Sequence, residues 1–225
     1  MPPPDADALP FGLCRAYSCA ADLPCTTIHA TMSALPVPSR LKLTVAQYRL
    51  MGERGILPPG KRVELIDGEI IEMAPIGPPH AGILNRLNDL LVGLCHGRAV
   101  ISPQHPLELG PHDEPQPDLC VLLRRESFYA DRHPTAADVL LLIEISDSTL
   151  GYDRSTKLAL YARSGVQSYW IVDVRDRAVV VFSQPSPAGY GNEQRFRAGD
   201  RIALGAPGSE LHDIEIDVAA VVGGL

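Results

Sequence analysis

The chain has 225 residues, 45% of them hydrophobic and 21% charged, which is the composition of an ordinary globular protein. A formal net charge of −7 argues against nonspecific binding to nucleic acid through a generally basic surface, although it leaves room for a local basic patch. Five cysteines without a CxxC pair, no signal-peptide pattern at the N-terminus and no apolar run long enough for a membrane span favour a reduced, cytoplasmic protein.

The first 40 residues differ in composition from the rest of the chain. They open with MPPPDADALP and show neither the period of a helix nor the alternation of a strand. We therefore expect residues 1–40 to form a disordered or loosely attached N-terminal tail.

A short helix and a hairpin open the regular part of the sequence. In LTVAQYRLMGERG, Thr44 and Gln47 have the spacing of a capping box, which predicts the start of a helix. RVELIDGEIIEM carries alternating apolar residues on both sides of Asp67-Gly68, a dipeptide favoured in two-residue turns, and predicts a β-hairpin. PHAGILNRLNDLLVGLCHG has apolar residues at helical spacing, so an amphipathic helix should follow.

Strands then alternate with one further helix. AVISPQHPLEL is interrupted by Pro103, which predicts an edge or bent strand, and QPDLCVLL predicts a second strand. VLLLIEIS predicts a strand over residues 139–146 that is apolar enough to be buried on both faces, followed by a helix from Asp153. QSYWIVDV and AVVVFSQ predict a hairpin, and EQRFRAG, RIAL and IEIDVAAVV resemble short strands. We expect an α/β fold in which a mixed sheet flanked by helices spans residues 41–183 and a β-rich C-terminal extension of the same domain spans residues 184–225.

Three carboxylates and one amine occupy notable positions in this pattern. Glu144 lies inside VLLLIEI, Asp118 opens the apolar run LCVLL, and Glu64 lies within VELI. Lys157 lies near the start of the later helix, on the same side as Tyr161. Taken singly, Glu64 has the pattern of an outward strand residue, Asp118 of a strand-start acid and Lys157 of a solvated helix residue. Glu144 differs from them, because its flanks are too apolar for a solvated face and a buried carboxylate needs compensation.

Taken together, these residues predict a metal site. Two carboxylates on neighbouring central strands repel each other unless a cation lies between them, and hard oxygen ligands select Mg²⁺ or Mn²⁺. A metal held by Asp118 and Glu144 can polarise a phosphoryl oxygen, while Lys157 orients water or offsets charge. Glu64 could bind the metal through water or hold a second ion. This is the chemistry of phosphodiester hydrolysis; the alternative is structural, with Glu144 and Lys157 forming a buried ion pair.

Several motifs resemble those of a known nuclease family. Gln116-Pro117-Asp118, Glu144-Ile145-Ser146 and then Lys157 closely resemble the motifs of the PD-(D/E)XK nuclease superfamily. Within it, the chain resembles the Uma-type putative restriction endonuclease family over about residues 41–182, from VELIDGEI through PDLCVLL and IEISDST to SGVQSYWIVD. The sequence departs from the superfamily pattern at Ser146, where the third motif has lysine. The family likeness implies that Lys157 on the following helix takes over that role.

The resemblance implies a restriction-endonuclease-like core and a Mg-dependent endodeoxyribonuclease acting on DNA. It further implies a catalytic set whose acids bind the metal and a set of auxiliary residues near the site. The implied catalytic residues are Glu64, Asp118, Glu144 and Lys157, of which Asp118, Glu144 and Glu64 are the metal ligands; the auxiliary residues are His80, Gln116 and Ser146.

The negative charge keeps a second function open. Without a dense basic segment, the chain could instead be a catalytically inactive nuclease-fold module that binds or regulates. A homodimer would suit the cutting of two strands, because two-fold symmetry provides two sites. Candidates for DNA contacts, each of which could equally be a solvated surface charge, are Arg124, Arg125, Arg132 and Arg154.

Overall fold

The structure, a computed structural model, describes residues 40–205 and 208–223. Residues 1–39, and with them nearly all of the predicted N-terminal tail, lie outside the described residues. Within the part of the chain that is described, no helix combines the length and the hydrophobicity that crossing a bilayer requires.

A capped helix and a tight hairpin begin the described chain. Helix α1 (Val45–Glu53) starts at the predicted capping box, in which Thr44 and Gln47 each satisfy the other's backbone N–H. Strands β1 (Val63–Ile66) and β2 (Glu69–Glu72) then pair antiparallel as a separate two-stranded sheet. Both turn residues are left-handed, with φ of 50° at Asp67 and 74° at Gly68, as the two-residue turn requires.

The hairpin is anchored to the chain segment that precedes the predicted strand after Asp118. The backbone N–H of Leu65 donates to the Glu114 carbonyl at 3.2 Å, and the Glu114 N–H donates back to the Leu65 carbonyl at 2.8 Å. This two-way pairing lays Glu64 alongside residues 114–118, so an acid from the separate hairpin reaches the main sheet.

A six-stranded mixed sheet forms the centre of the fold. Its strand order is β3-β4-β5-β6-β7-β8, and only the β5–β6 pair is parallel among the pairs of this sheet. Strand β3 lies at the edge, as its proline predicts. The predicted α/β class with a mixed sheet flanked by helices is therefore confirmed. The bounds are β3 Ala99–Pro103, β4 Leu119–Leu123, β5 Val139–Ser146, β6 Ser168–Asp173, β7 Ala178–Ser186 and β8 Gly189–Arg197.

Helices cover both faces of this sheet, which explains the apolar character of β5 on both sides. Leu141, Ile143 and Ile145 point into a core shared with helix α2 (Pro78–Leu94). Leu142 faces the opposite core, where Leu160 and Tyr161 pack from the helical segment after β5. Glu144, by the alternation of a strand, lies on this second face and thus beneath that helical segment.

The helical segment after β5 and the C-terminal region differ from the prediction. The segment begins before Asp153, with α3 (Leu150–Tyr152), and passes through a π-helical turn (Asp153–Lys157) into α4 (Leu158–Arg163). In IEIDVAAVV only the first part is a strand, and VAAVV is a helix because the Asp217 side chain caps it by accepting from the Ala219 N–H. The remaining elements are a 3-10 helix at Ala136–Asp138, β9 Arg201–Ala203, β10 Glu215–Asp217 and α5 Val218–Val222.

Candidate active site

A cavity of about 300 Å³ opens where β4 begins and β5 ends. One of its sides consists of the acids at the strand ends and the start of the helical segment after β5. The other side is the connection from β2 to α2, which contributes residues 73–77. The charged and polar side chains on its lining are Arg62, Glu64, Glu72, His80, Asp118, Glu144, Asp147, Ser148, Thr149, Tyr152, Asp153 and Lys157.

Asp118 and Glu144 are cross-strand neighbours at this opening. The register pairs Leu119 with Ile143, so Asp118, one residue earlier, lies opposite Glu144. The Asp118 backbone N–H donates to Glu144 Oε2 at 3.2 Å, and Asp118 Oδ2 accepts from the Ile145 N–H at 2.9 Å. Two acids directly opposite each other repel unless other groups offset their charge. The groups that contact each acid therefore determine whether it is ionised.

Asp118 is held as a carboxylate by donors on two sides. His80 Nε2 lies 2.9 Å from Asp118 Oδ2, the same oxygen that accepts from the Ile145 amide, and Gln104 Nε2 lies 3.4 Å from Oδ1. Burial acts to raise the pKa of Asp118, but the hydrogen bond and charge of His80 together with the Ile145 amide outweigh it and lower that pKa. Asp118 thus offers a charged oxygen to the cavity at neutral pH.

Glu144 is more deeply buried and has the opposite electrostatic bias. Its side chain is 4% exposed, and its Oε1 accepts from Lys157 Nζ at 2.9 Å and from the Tyr161 hydroxyl at 2.7 Å. Burial raises the pKa of Glu144 to about 8, with Lys157 opposing this shift and Asp118 adding to it. A positive charge near Glu144, such as that of Lys157, favours its ionised form against this shift.

Lys157 points inward and bridges two of the predicted acids. Its side chain is 5% exposed, and Nζ lies 2.9 Å from Glu144 Oε1 and 3.4 Å from Glu64 Oε2. Burial acts to lower the pKa of Lys157, but the charges of Glu144 and Glu64 outweigh it and raise that pKa. The Lys157 amine from the helix thus contacts the Glu144 carboxylate on the strand. This is the contact expected if Lys157 replaces the lysine that the third motif has at the position of Ser146.

The π-helical turn keeps the inward side chains of this helix in line. In an α-helix every fourth residue is rotated by about 40° from the first, so three such positions drift around the axis. A π turn is wider, because its hydrogen bonds close from i to i+5, and four residues then complete less than a turn. The two rotations oppose each other, and Asp153, Lys157 and Tyr161 all remain buried against the sheet.

Ser146 and Asp153 lock the start of that helix onto the end of β5. The Ser146 hydroxyl donates to Asp153 Oδ2 at 2.6 Å, and the Thr149 hydroxyl donates to the same oxygen at 2.6 Å. Burial raises the pKa of Asp153, although both hydroxyls act against the shift. The serine that replaces the expected lysine therefore contacts the helix that carries Lys157.

Glu64 and Gln116 join the hairpin to the site. Glu64 is 1% exposed, which makes the outward reading of this residue wrong. Its Oε2 accepts from the Gln116 N–H at 3.2 Å, and Gln116 Nε2 donates to the Val63 carbonyl at 3.2 Å. The Gln116 side chain is thus engaged with the hairpin backbone.

Sequence reasoning missed several residues that line the cavity or touch its acids. The sequence pattern gives Tyr161 only a side of the helix and Asp153 only the start of that helix. The four-residue spacing of Asp153, Lys157 and Tyr161 is the signal that could have identified them as one inward row. Arg62 and Tyr152 carry no such signal, because they enter the cavity from irregular or turn-adjacent positions.

The donor chemistry fits a small divalent ion, although no ligand set is fully assembled. Among residues 40–205 and 208–223, no three His, Cys, Asp or Glu side chains form a group ready to hold a metal. Mg²⁺ usually takes only one or two protein carboxylates and keeps several waters, so Asp118 and Glu144 suffice in number and type.

The predicted DNA-contact arginines lie outside this cavity's lining. Three of them form ion pairs: Arg125 with Asp131, Arg132 with Asp138 and Arg154 with Glu193. The guanidinium of the fourth, Arg124, lies 4.3 Å from the centre of the Phe128 ring.

Comparisons with known proteins agree with this fold. The sequence profile of the Uma2 family, described as "Putative restriction endonuclease", matches residues 45–218. No curated protein matches the chain. A crystal structure of a "putative nuclease belonging to DUF820" from Anabaena variabilis superposes with a TM-score of 0.60 at 18% identity, over 76% of this chain and 96% of that one. At that identity the likeness concerns the fold.

Proposed function

Because the chain belongs to the Uma2 family of putative restriction endonucleases, we propose that it is a metal-dependent endonuclease that hydrolyses phosphodiester bonds of DNA. The observation that carries the proposal is the contact network in which Asp118 and Glu144 face each other across two strands while Lys157 reaches Glu144. Nuclease chemistry needs acids, an amine and an opening at one place, and all of them lie on the lining of one cavity.

Asp118 and Glu144 are the residues that would hold Mg²⁺ or Mn²⁺, with Glu64 contributing through water or a second ion. When bound, such an ion withdraws charge from a phosphoryl oxygen and lowers the pKa of water. Asp118 supplies the more readily ionised carboxylate, since its donors lower its pKa.

Lys157 would provide fixed positive charge close to the reacting phosphate. Its ammonium lies between Glu144 and Glu64, where it can orient a water and offset the negative charge that grows in the transition state. Tyr161 holds Glu144 Oε1 from the other side, so the carboxylate has little freedom to rotate. His80 orients Asp118, and Ser146 fixes the helix through Asp153.

One observation favours a second candidate, a nuclease-fold binding or regulatory module without turnover. Glu144 Oε1 already has two protein donors, and no three-ligand group is present in the described part of the chain. A purely structural ion pair would have the same contacts. Titration calorimetry with Mn²⁺ separates these cases: binding that Asp118→Asn weakens supports the enzyme, and no binding at millimolar Mn²⁺ supports the module or the ion pair.

The decisive experiment is a cleavage assay on single- and double-stranded DNA with Mg²⁺ or Mn²⁺, with RNA of the same sequence alongside. We expect wild-type protein to cleave DNA and both Asp118→Asn and Glu144→Gln to lose cleavage. Glu215→Gln, an exposed glutamate paired with Arg201 on β9, is the matched control. Equal cleavage by wild type and both site variants would reveal a contaminating nuclease and defeat the proposal.

Two further parts of the proposal need their own measurements. A cytoplasmic location is tested by fractionation of cells that express the chain. A homodimer, which would place two sites on two strands, is tested by light scattering of the purified protein with and without a DNA duplex.

A further inference from the structure

Three buried polar atoms around the cavity have no hydrogen-bond partner among residues 40–205 and 208–223. They are Arg62 Nη2, His80 Nδ1 and the Tyr152 hydroxyl, and all three residues line the same cavity. Buried polar groups are nearly always paired, because an unpaired one loses its hydration without compensation. Their concentration at one cavity indicates that something other than these protein residues completes them.

Arg62 is the most informative of the three. No ion pair joins it to a carboxylate in the described part of the chain, although acids surround the cavity. Lys157, the other cation on the lining, is already shared between Glu144 and Glu64. Arg62 is therefore the cation that remains available to an anion from outside.

The hydroxyl of Tyr152 points to the same ligand. Its phenol is a donor at neutral pH, because tyrosine ionises only near pH 10 or above. Helix α2 begins beside it with Pro78 and Pro79, which have no N–H, so side chains rather than the helix end supply the donors here. A phenol donor and a guanidinium without a counter-ion among the described residues favour a phosphate over a cation or an apolar group.

We propose that Arg62 and Tyr152 bind a second phosphate of the nucleic acid next to the one that is cleaved. This inference rests on the proposed function and adds to it a phosphate subsite beside the acids. The planar fork of Arg62 suits two oxygens of one phosphodiester, which a lysine could not match in geometry. The subsite fixes the register of the strand, so that the neighbouring phosphodiester lies at Asp118 and Glu144.

The test measures binding of a fluorescein-labelled 20-nucleotide DNA, single-stranded and duplex, as a function of salt concentration. Removing one phosphate contact should reduce the slope of log K against log salt by about 1 and weaken binding roughly tenfold in Arg62→Gln. Tyr152→Phe should weaken binding roughly fivefold without changing the slope, because it removes a neutral donor. In the cleavage assay, both variants should raise KM by a larger factor than they lower kcat.

Matched variants keep the result interpretable. Arg201→Gln removes an exposed arginine that lies outside the cavity lining and should leave both slope and KM as in wild type. Arg62→Lys keeps the charge and should retain the salt slope but lose part of the affinity; it also serves if Arg62→Gln fails to fold, which thermal melting checks.

The outcomes separate the two proposals. Suppose that wild type cleaves DNA and that Arg62→Gln binds and cleaves DNA as wild type does; if Arg62→Gln does not fold, Arg62→Lys and Tyr152→Phe together replace it in this comparison. Water then completes these donors, so the phosphate subsite is refuted while the proposed function stands. If wild type neither binds nor cleaves nucleic acid with metal, the proposed function fails and the subsite fails with it.

Discussion

Removing the amine from the buried cluster should cost a large part of the protein's stability. Lys157→Met leaves the Glu144 and Glu64 carboxylates, both nearly inaccessible, without their shared cation. At an effective dielectric constant of about 20, unit charges at these separations attract by about 5–6 kcal/mol each. The desolvation of the ammonium, worth several kcal/mol, offsets part of that attraction. We therefore expect a loss of about 3–5 kcal/mol in the free energy of unfolding at pH 9, above the pKa of Glu144, as for other broken buried pairs.

The loss should depend on pH, and its sign follows from Glu144. Burial raises the pKa of Glu144 from 4.5 to about 8 in the folded protein. A raised pKa in the folded state means that its stabilising contribution is complete below pH 4.5 and is lost as the pH rises through about 8. Without the ammonium the pKa rises further, so Lys157→Met should lose less stability at pH 6, where Glu144 is protonated with or without Lys157, than at pH 9, where Glu144 is ionised only beside Lys157.

Urea denaturation of the metal-free protein at pH 6 and 9 measures both effects. The double variant Glu144→Gln/Lys157→Met is the control, because it removes the unpaired charge together with the amine and should recover at least half of the loss at pH 9. A single-variant loss below about 1 kcal/mol at pH 9, or an equal loss at both pH values, would refute the reasoning, since it would mean that Lys157 is not the buried counter-ion.

Three smaller predictions test other parts of the structure. Tyr161→Phe removes one of the two donors to Glu144 Oε1 and should cost about 1–2 kcal/mol, measured by urea denaturation, while slowing cleavage. Gly68→Ala should lower the stability of the hairpin by about 1–3 kcal/mol, because φ is +74° and the new Cβ would lie 2.5 Å from a lysine Cβ; a thermal melt within 1 °C of wild type would contradict this. Asp138 has its pKa lowered to about 2, chiefly by the Arg132 hydrogen bonds, so its stabilisation is present above pH 3.8 and is lost as the pH falls through about 2. Asp138→Asn should therefore cost about 1 kcal/mol at pH 7, a value reduced for solvent screening, and clearly less at pH 2, as followed by acid titration of the folded signal.

The regular elements could be predicted because their local signals agree with their tertiary surroundings. The strand over residues 139–146 has the predicted bounds, since an apolar run ending before a polar loop admits few alternatives. The hairpin at Asp67-Gly68 likewise follows from turn chemistry that only left-handed residues satisfy. The prediction of a strand for VAAVV was wrong. These residues have strand propensity, but they form a helix because Asp217 caps it and its valines pack in the core.

The candidate site was predictable in its residues more than in its geometry. Glu144 could be identified because it is an acid within an apolar strand. Lys157 could then be inferred, because a buried carboxylate requires a partner of opposite charge. The sequence contains nothing that predicts the π turn, because that irregularity depends on how the helix packs against the sheet. Nor could it predict that Arg62 lines the cavity without a counter-ion among residues 40–205 and 208–223, since the partners of a side chain are a property of the folded chain.

Because Lys157 is buried, the rate at which its amine reacts can report on the opening of the cavity. The chain contains only three lysines, and the other two, Lys42 and Lys61, have half-exposed side chains. An amine-selective acylating reagent should therefore modify those two quickly and Lys157 slowly, because its nitrogen is both shielded and held protonated by its acids. Mass spectrometry would then give the fraction of Lys157 that is labelled over time, which reports how often this pocket opens. The same measurement with metal or nucleic acid would show whether either one changes that frequency.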